Sequence, residues 1–254
     1  MRLPIGKTGE SCCRAAIGGA SCHAMRTVKV EPPAEIGVHA GLSFALFLPA
    51  TAPLASVVAL HGASSCKESH FDFGRACRAD GLAAVCFDMR GHGSSEGPMD
   101  ERAIEDVAVL AALARERTGV EAVALRGSSM GGYLALVAAG AVAARAVVAI
   151  CPASGAGLAR GLRDGRFEFD ADAEALGSLL AEHDELRAAE LLDVPLLLLH
   201  AEGDEVVPVE HSRALHFAAA GSRLVAVPGG HHRSVQHDPE LEALSVRFIR
   251  DAVG

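Results

Sequence analysis

The chain has 254 residues, half of them hydrophobic and 22% charged, with a formal net charge of −9. That is enough apolar sequence for one large core and too much for disorder, and the acidic balance argues against a surface built for nucleic acid or an anionic membrane. No apolar run approaches the roughly 18 residues of a membrane span, and the seven cysteines form no C-x-x-C pair, so free thiols in a reducing, cytoplasmic compartment are expected.

Residues 1–24, MRLPIGKTGESCCRAAIGGASCHA, have no apolar h-region and no period. They read as a loosely ordered leader before a domain spanning residues 25–254. Thr27–Val30 and Leu42–Leu48 read as two antiparallel strands, with Pro32, Pro33 and Gly37 supplying the turn. Ser56–Leu60, SVVAL, reads as a fully buried strand running into His61-Gly62-Ala63. Ser69–Ala79 reads as a helix closed by Gly81. Ala83–Phe87 is the next buried strand and ends in DMRGHGSSEG. Pro98–Arg117 carries apolar residues at helical spacing, and Gly119 ends it.

Val123–Gly132, VALRGSSMGG, is strand, sharp turn and helix start, with Ser129 centred in a G-x-S-x-G. Gly127 and Gly131 remove Cβ atoms that would clash in so tight a turn. The helix that follows, Ser129–Ala143, is apolar on most faces and reads as buried. Its N-terminus favours developing negative charge beside Ser129. A glycine-rich turn without activity would look the same in a chain with 27 glycines, so this motif alone decides little.

Ala146–Ile150 is another buried strand. Pro152–Val194 then breaks the rhythm, being too long for one crossover. It holds Phe167 and Phe169 among acidic residues and a helical pattern over Ala173–Leu192, and residues 155–192 read as a small helical cap over the strand ends. Pro195–His200 is a strand followed by AEGDEVVP. Val209–Ala219 is a helix, Arg223–Val227 the last strand, and Pro239–Ala252 the closing helix after PGGHHRSVQHD. Alternating β and α segments with near-continuous apolar strands predict an α/β fold, a parallel sheet covered on both faces with its ligand at the carboxyl ends of the strands.

Ser129, Asp204 and His232 each follow a predicted strand, in the chain order of a nucleophile elbow rather than of either protease order. On LHGAS, DMRGHGSSEG, GSSMGG, HAEGDEVVP and PGGHH, residues 25–254 resemble the α/β-hydrolase family, in particular its single-domain serine esterases with a short cap. The resemblance implies a mostly parallel central sheet with helices on both faces and a small helical cap. It makes Ser129 the nucleophile, His232 the base and Asp204 the acid that orients it, with the backbone N–H groups of Ala63 and Met130 as oxyanion hole. Ser128 competes with Ser129, Glu202 and Glu205 with Asp204, and His231 with His232; the family's G-D-x-x-V-P and P-G-x-x-H registers favour Asp204 and His232. His61 and His92 read as loop-shaping residues, His237 as a helix cap or surface residue, and Cys66 and Cys151 as inert thiols.

No metal is expected, because His211, His231, His232 and His237 lack ligand spacing, and no cofactor. The implied reaction is hydrolysis of an ester or thioester bond of a small acyl substrate through an acyl-enzyme. A peptidase or amidase is the nearest alternative, and a catalytically silent binding member of the fold a more distant one. An elbow serine argues against dehalogenase chemistry. With no Trp and one Tyr, an aliphatic pocket walled by Met130, Leu158 and Phe167 is expected. Oligomeric state leaves no signature.

Overall fold

The computed structural model describes residues 30–254. The leader, the boundary at residues 24 and 25, and all but the last residue of the expected strand Thr27–Val30 lie outside the described residues. Residues 32–254 form one compact unit.

Its centre is an eight-stranded sheet: β1 (Glu35–His39), β2 (Leu42–Phe47), β3 (Ser56–Leu60), β4 (Ala83–Phe87), β5 (Val123–Ser128), β6 (Val147–Ile150), β7 (Leu196–Ala201) and β8 (Arg223–Val227). The spatial order is β1-β2-β4-β3-β5-β6-β7-β8. β1, β2 and β4 pair antiparallel, and every later pair is parallel. Side chains alternate across a strand, so a strand covered on both faces is apolar at nearly every position. β3 shows this: Val58 and Leu60 enter one core with Val107, Leu110 and Leu134, while Val57 and Ala59 enter the other with Phe73, Val246 and Ile249. The helices divide accordingly. α2 (Ala103–Thr118), α3 (Met130–Val137) and α8 (Val209–Ala218) contribute to the first core, and α1 (Phe71–Ala79) and α9 (Pro239–Val253) to the second.

Several sequence expectations are corrected. The hairpin turn is Ala40-Gly41, both at positive φ, the signature of a tight two-residue turn. Gly37 lies inside β1 opposite Phe44, where a Cβ would meet the Phe44 ring at 3.2 Å. Its glycine serves packing, not turning. Residues 98–102 do not join α2; Met99 pairs with Ala171 instead, and Arg102 bonds back to Asp100. The expected single helix over Ala173–Leu192 is two, α6 (Ala173–Glu182) and α7 (Glu185–Glu190), because Asp184 caps the N–H groups of Leu186 and Arg187. The helix after Ser129 likewise divides, into α3 and the single turn α4 (Ala139–Val142).

Among the described residues, no helix is long and apolar enough to cross a membrane. The parallel strands deliver His61, Asp88, Ser129, Cys151 and Glu202 at their carboxyl ends.

Candidate active site

Ser129 stands between β5 and α3 at φ 54°, ψ −117°, a backbone conformation that costs a non-glycine residue about 1–3 kcal/mol. The strain is held by close packing on both sides. A Cβ on Gly127 would overlap the Gly131 carbonyl, and one on Gly131 would overlap the carbonyls of Leu60 and His61. The Ser129 N–H is tied to Ile150 O at 2.9 Å. Met130 is the first residue of α3, so its N–H has no partner within the helix.

The loop after β3 faces this turn, and a Cβ on Gly62 would lie 3.3 Å from Ser129 Cβ. Three groups order that loop. His61 Nδ1–H donates to Gly62 O at 2.8 Å, and its Nε2 accepts the Met89 N–H at 3.0 Å. His92 Nδ1–H donates to Arg90 O, and its Nε2 accepts the Ser64 N–H at 3.3 Å. A carbonyl can only accept, so both tautomers follow from the network. Asp88 accepts the Lys67 backbone N–H and ammonium, each at 2.7 Å. Burial, then the neighbouring His92, pushes the His61 pKa down to about 4. Both histidines are loop-shaping, as the resemblance implies.

Asp204 lies in the turn after β7, its side chain fully shielded. One carboxylate oxygen accepts the N–H groups of Val206 and Val207, both at 2.8 Å. The other accepts His232 Nδ1–H at 2.7 Å and faces His200 Nε2 at 3.4 Å. Burial opposes ionisation, but the bonds from His200, His232, Val207 and Val206 outweigh it and hold the carboxyl well below the usual range. Glu202 and Glu205 are exposed; Glu205 accepts the His232 backbone N–H at 3.2 Å. His231 is exposed and sits in a backbone turn with Ser234. His237 is exposed, and the cap of α9 is Asp238.

Ser129 and His232 line one pocket of about 90 Å³ with Ala63, Ser64, Arg233 and Gln236. The structure therefore brings all three sequence candidates together, and Ala63 with them. Among the described residues no hydrogen bond closes from Ser129 Oγ to His232; such bonds often tighten only around a substrate. Ser128 lines the same pocket, but its hydroxyl is engaged, donating to Gln236 Oε1 at 2.7 Å.

The segment joining β6 to β7 packs against this site. It contains α5 (Gly155–Arg163), α6 and α7. Glu168 N–H donates to Ser64 Oγ at 2.8 Å, and Phe169 stacks between His92 and Phe167. Beneath it, Met130, Leu158, Phe167, Phe169 and Leu176 line an apolar space of only about 10 Å³. Cys151, His200 and Asp204 bring potential ligand atoms within 4.8 Å of one another. Hydrogen bonds already commit the Asp204 oxygens and both His200 nitrogens, and burial raises the Cys151 thiol to about 12. That donor set fits a proton-bonded cluster better than a cation.

Sequence reading passes over two contributors. His200 reads as a strand end, although it opens the HAEGDEVVP motif four residues before Asp204. Gln236 reads as loop, although its side chain joins Ser128 and Ser69 O across the site, and bonds to partners so distant in the chain leave no local pattern.

Residues 55–176 match the family model described as the alpha/beta hydrolase fold. An uncharacterized protein, YfhR, from Escherichia coli O157:H7 is 29% identical over 81% of this chain and 73% of its own length. Among solved structures, Est1E from Butyrivibrio proteoclasticus with bound ferulic acid superposes with a TM-score of 0.70 at 21% identity, over 87% of this chain and 99% of Est1E. A monoacylglycerol lipase from Paleococcus ferrophilus gives 0.64 at 21% identity, over 84% and 98%.

Proposed function

The chain belongs to the α/β-hydrolase fold family, and from that premise we propose that it is a serine hydrolase cleaving an ester or thioester bond of a small acyl substrate. One observation carries the reading: the strained Ser129 shares a pocket with His232, whose Nδ1–H is bonded to the buried Asp204 carboxylate. In the neutral imidazole that bond puts the proton on Nδ1 and leaves His232 Nε2 free to accept one, as a general base requires.

In this reading Ser129 Oγ attacks the acyl carbon and its proton passes to His232 Nε2. Asp204 holds the tautomer and stabilises the imidazolium. The N–H groups of Met130 and Ala63 receive the oxyanion. His232 then protonates the leaving alcohol or thiol, and water repeats the sequence to release the acid. Residues 155–192 act as a cap, and its apolar side chains beside Met130 leave only about 10 Å³ between them, room for about one water, so they must part to admit an acyl group and limit its length. The esterase and lipase among the structural neighbours are consistent with this assignment.

A fluorophosphonate probe with a p-nitrophenyl ester series beside aminoacyl anilides tests it. Wild type and Ser128→Ala should be labelled and hydrolyse short esters, and Ser129→Ala should do neither, at a loss on the order of 10⁶-fold. Equal labelling of the Ser129→Ala variant refutes the assignment. Turnover of anilides over esters would move the activity to amides, and absence of both labelling and turnover would favour a binding protein.

A further inference from the structure

Asp204 does not serve His232 alone. His200, the fifth residue of β7, is fully buried. Its Nε2 lies 2.9 Å from Val207 O and 3.4 Å from the same Asp204 oxygen that bonds His232. A carbonyl and an ionised carboxylate can only accept, so Nε2 carries a proton directed between them. The other nitrogen, Nδ1, is 2.7 Å from Ser212 Oγ on α8. A hydroxyl can donate or accept, so Ser212 satisfies the imidazole in either charge state. Two imidazoles thus converge on one carboxylate oxygen, one from the pocket and one from behind.

We infer that His200 is a positioning residue for the proposed serine hydrolysis, a second donor that divides the Asp204 charge with His232 and so tempers how strongly the imidazolium of His232 is held. The inference rests on the reading of Ser129, His232 and Asp204 given above. An acceptor oxygen that serves two donors gives each less than it would give one alone. An undivided Asp204 would bind the imidazolium more tightly and leave His232 slower to return its proton.

The alternative is a staple. His200 joins the turn after β7 to α8, and its loss could merely let Asp204 swing away. The two roles move the His232 pKa in opposite directions. Losing the second donor concentrates the carboxylate on His232 and raises its pKa, whereas losing the Asp204–His232 bond lowers it. The other ionisable groups around the cluster include Cys151 beside Asp204, His211 near His200 with Glu185 behind it, Arg233 lining the pocket with His232, and Glu205 and His231 at the mouth. All of them are common to wild type and variants, so they cancel in the comparison.

The test is NMR titration of the imidazole signals, with His232 identified by its absence in His232→Gln, in wild type, His200→Phe, His200→Asn and His200→Gln. The Asn side chain can still reach Ser212 but falls short of Asp204; Gln keeps a donor where Nε2 was. We expect His232 to titrate about half a pH unit higher in the Phe and Asn variants and at the wild-type value in Gln. On ester substrate, kcat should fall by up to about threefold with KM unchanged, the factor that half a pH unit represents, and the acidic limb of the rate profile should move upward. If Phe does not fold, the Asn variant decides. An unchanged or lowered His232 pKa in the folded donor-less variants overturns the inference. The titration needs no turnover, so a chain without hydrolase activity would fail the proposed function while the direction of the His232 shift still decided the role of His200.

Discussion

Asp204→Asn has an outcome that the hydrogen bonds dictate almost completely. Four donors converge on this carboxylate: Val206 N–H and Val207 N–H on one oxygen, His232 and His200 on the other. An asparagine presents one oxygen and one NH₂. The backbone donors cannot reverse, so the amide oxygen must stay with Val206 and Val207. The NH₂ then faces His232 Nδ1, which relieves the conflict by giving up its proton and accepting. The proton moves to Nε2, the nitrogen facing Ser129, and the base is gone. His200 is left with Val207 O as its acceptor, so the fold survives at about 1–3 kcal/mol for one mismatched buried contact. The rate should fall about 10⁴-fold, near 5.5 kcal/mol of transition-state stabilisation at about 1.36 per tenfold. The assay is kcat/KM on p-nitrophenyl acetate, with urea denaturation alongside. Glu202→Gln and Glu205→Gln should stay within about threefold, since both side chains are exposed and rim charges contribute little. An Asp204→Asn variant that keeps a tenth or more of wild-type activity would refute the reasoning, because His232 would then act without a carboxylate fixing its tautomer.

Phe167→Ala removes a ring that packs on Gly161 and stacks on Phe169 at 5.4 Å. It should lose about 2 kcal/mol of stability and raise kcat/KM for an octanoyl ester relative to an acetyl ester about tenfold; an unaltered chain-length profile would remove residues 155–192 from substrate selection. Asp88→Ala strands the Lys67 ammonium, buried except for its contact with Glu68, and should destabilise the fold by about 3 kcal/mol in urea denaturation. The Lys67 hydrogen bond and the Ser94 N–H overcome the opposing burial and hold the Asp88 carboxyl below its ordinary value. Its stabilisation is therefore complete above about pH 4 and lost as pH falls through the lower folded value, and wild type and variant should converge in stability at strongly acidic pH.

Local chemistry is legible wherever one segment carries its own reason. Strands β3 to β7 can be read from near-continuous apolar runs, because a strand covered on both faces is apolar at most positions, with Arg126 and His200 among the buried exceptions in β5 and β7. The turn at Ser129 is readable because Gly127 and Gly131 have no room for a Cβ. Register singles out the candidate acid and base, and the 2.7 Å bond between Asp204 and His232 is what tertiary folding adds. The sequence misplaces what depends on distant partners. Gly37 looks like a turn residue until the Phe44 ring is set against it, and residues 98–102 look helical until Ala171 pairs with Met99. His200 is visible only as the first residue of HAEGDEVVP and Gln236 only as a loop residue, with nothing in either to assign a role. Their roles consist of hydrogen bonds to side chains and carbonyls that only the folded sheet brings within reach. Periodicity and glycine sterics are written over a few neighbouring residues, whereas a shared proton between strand and loop exists only once the strands are stacked.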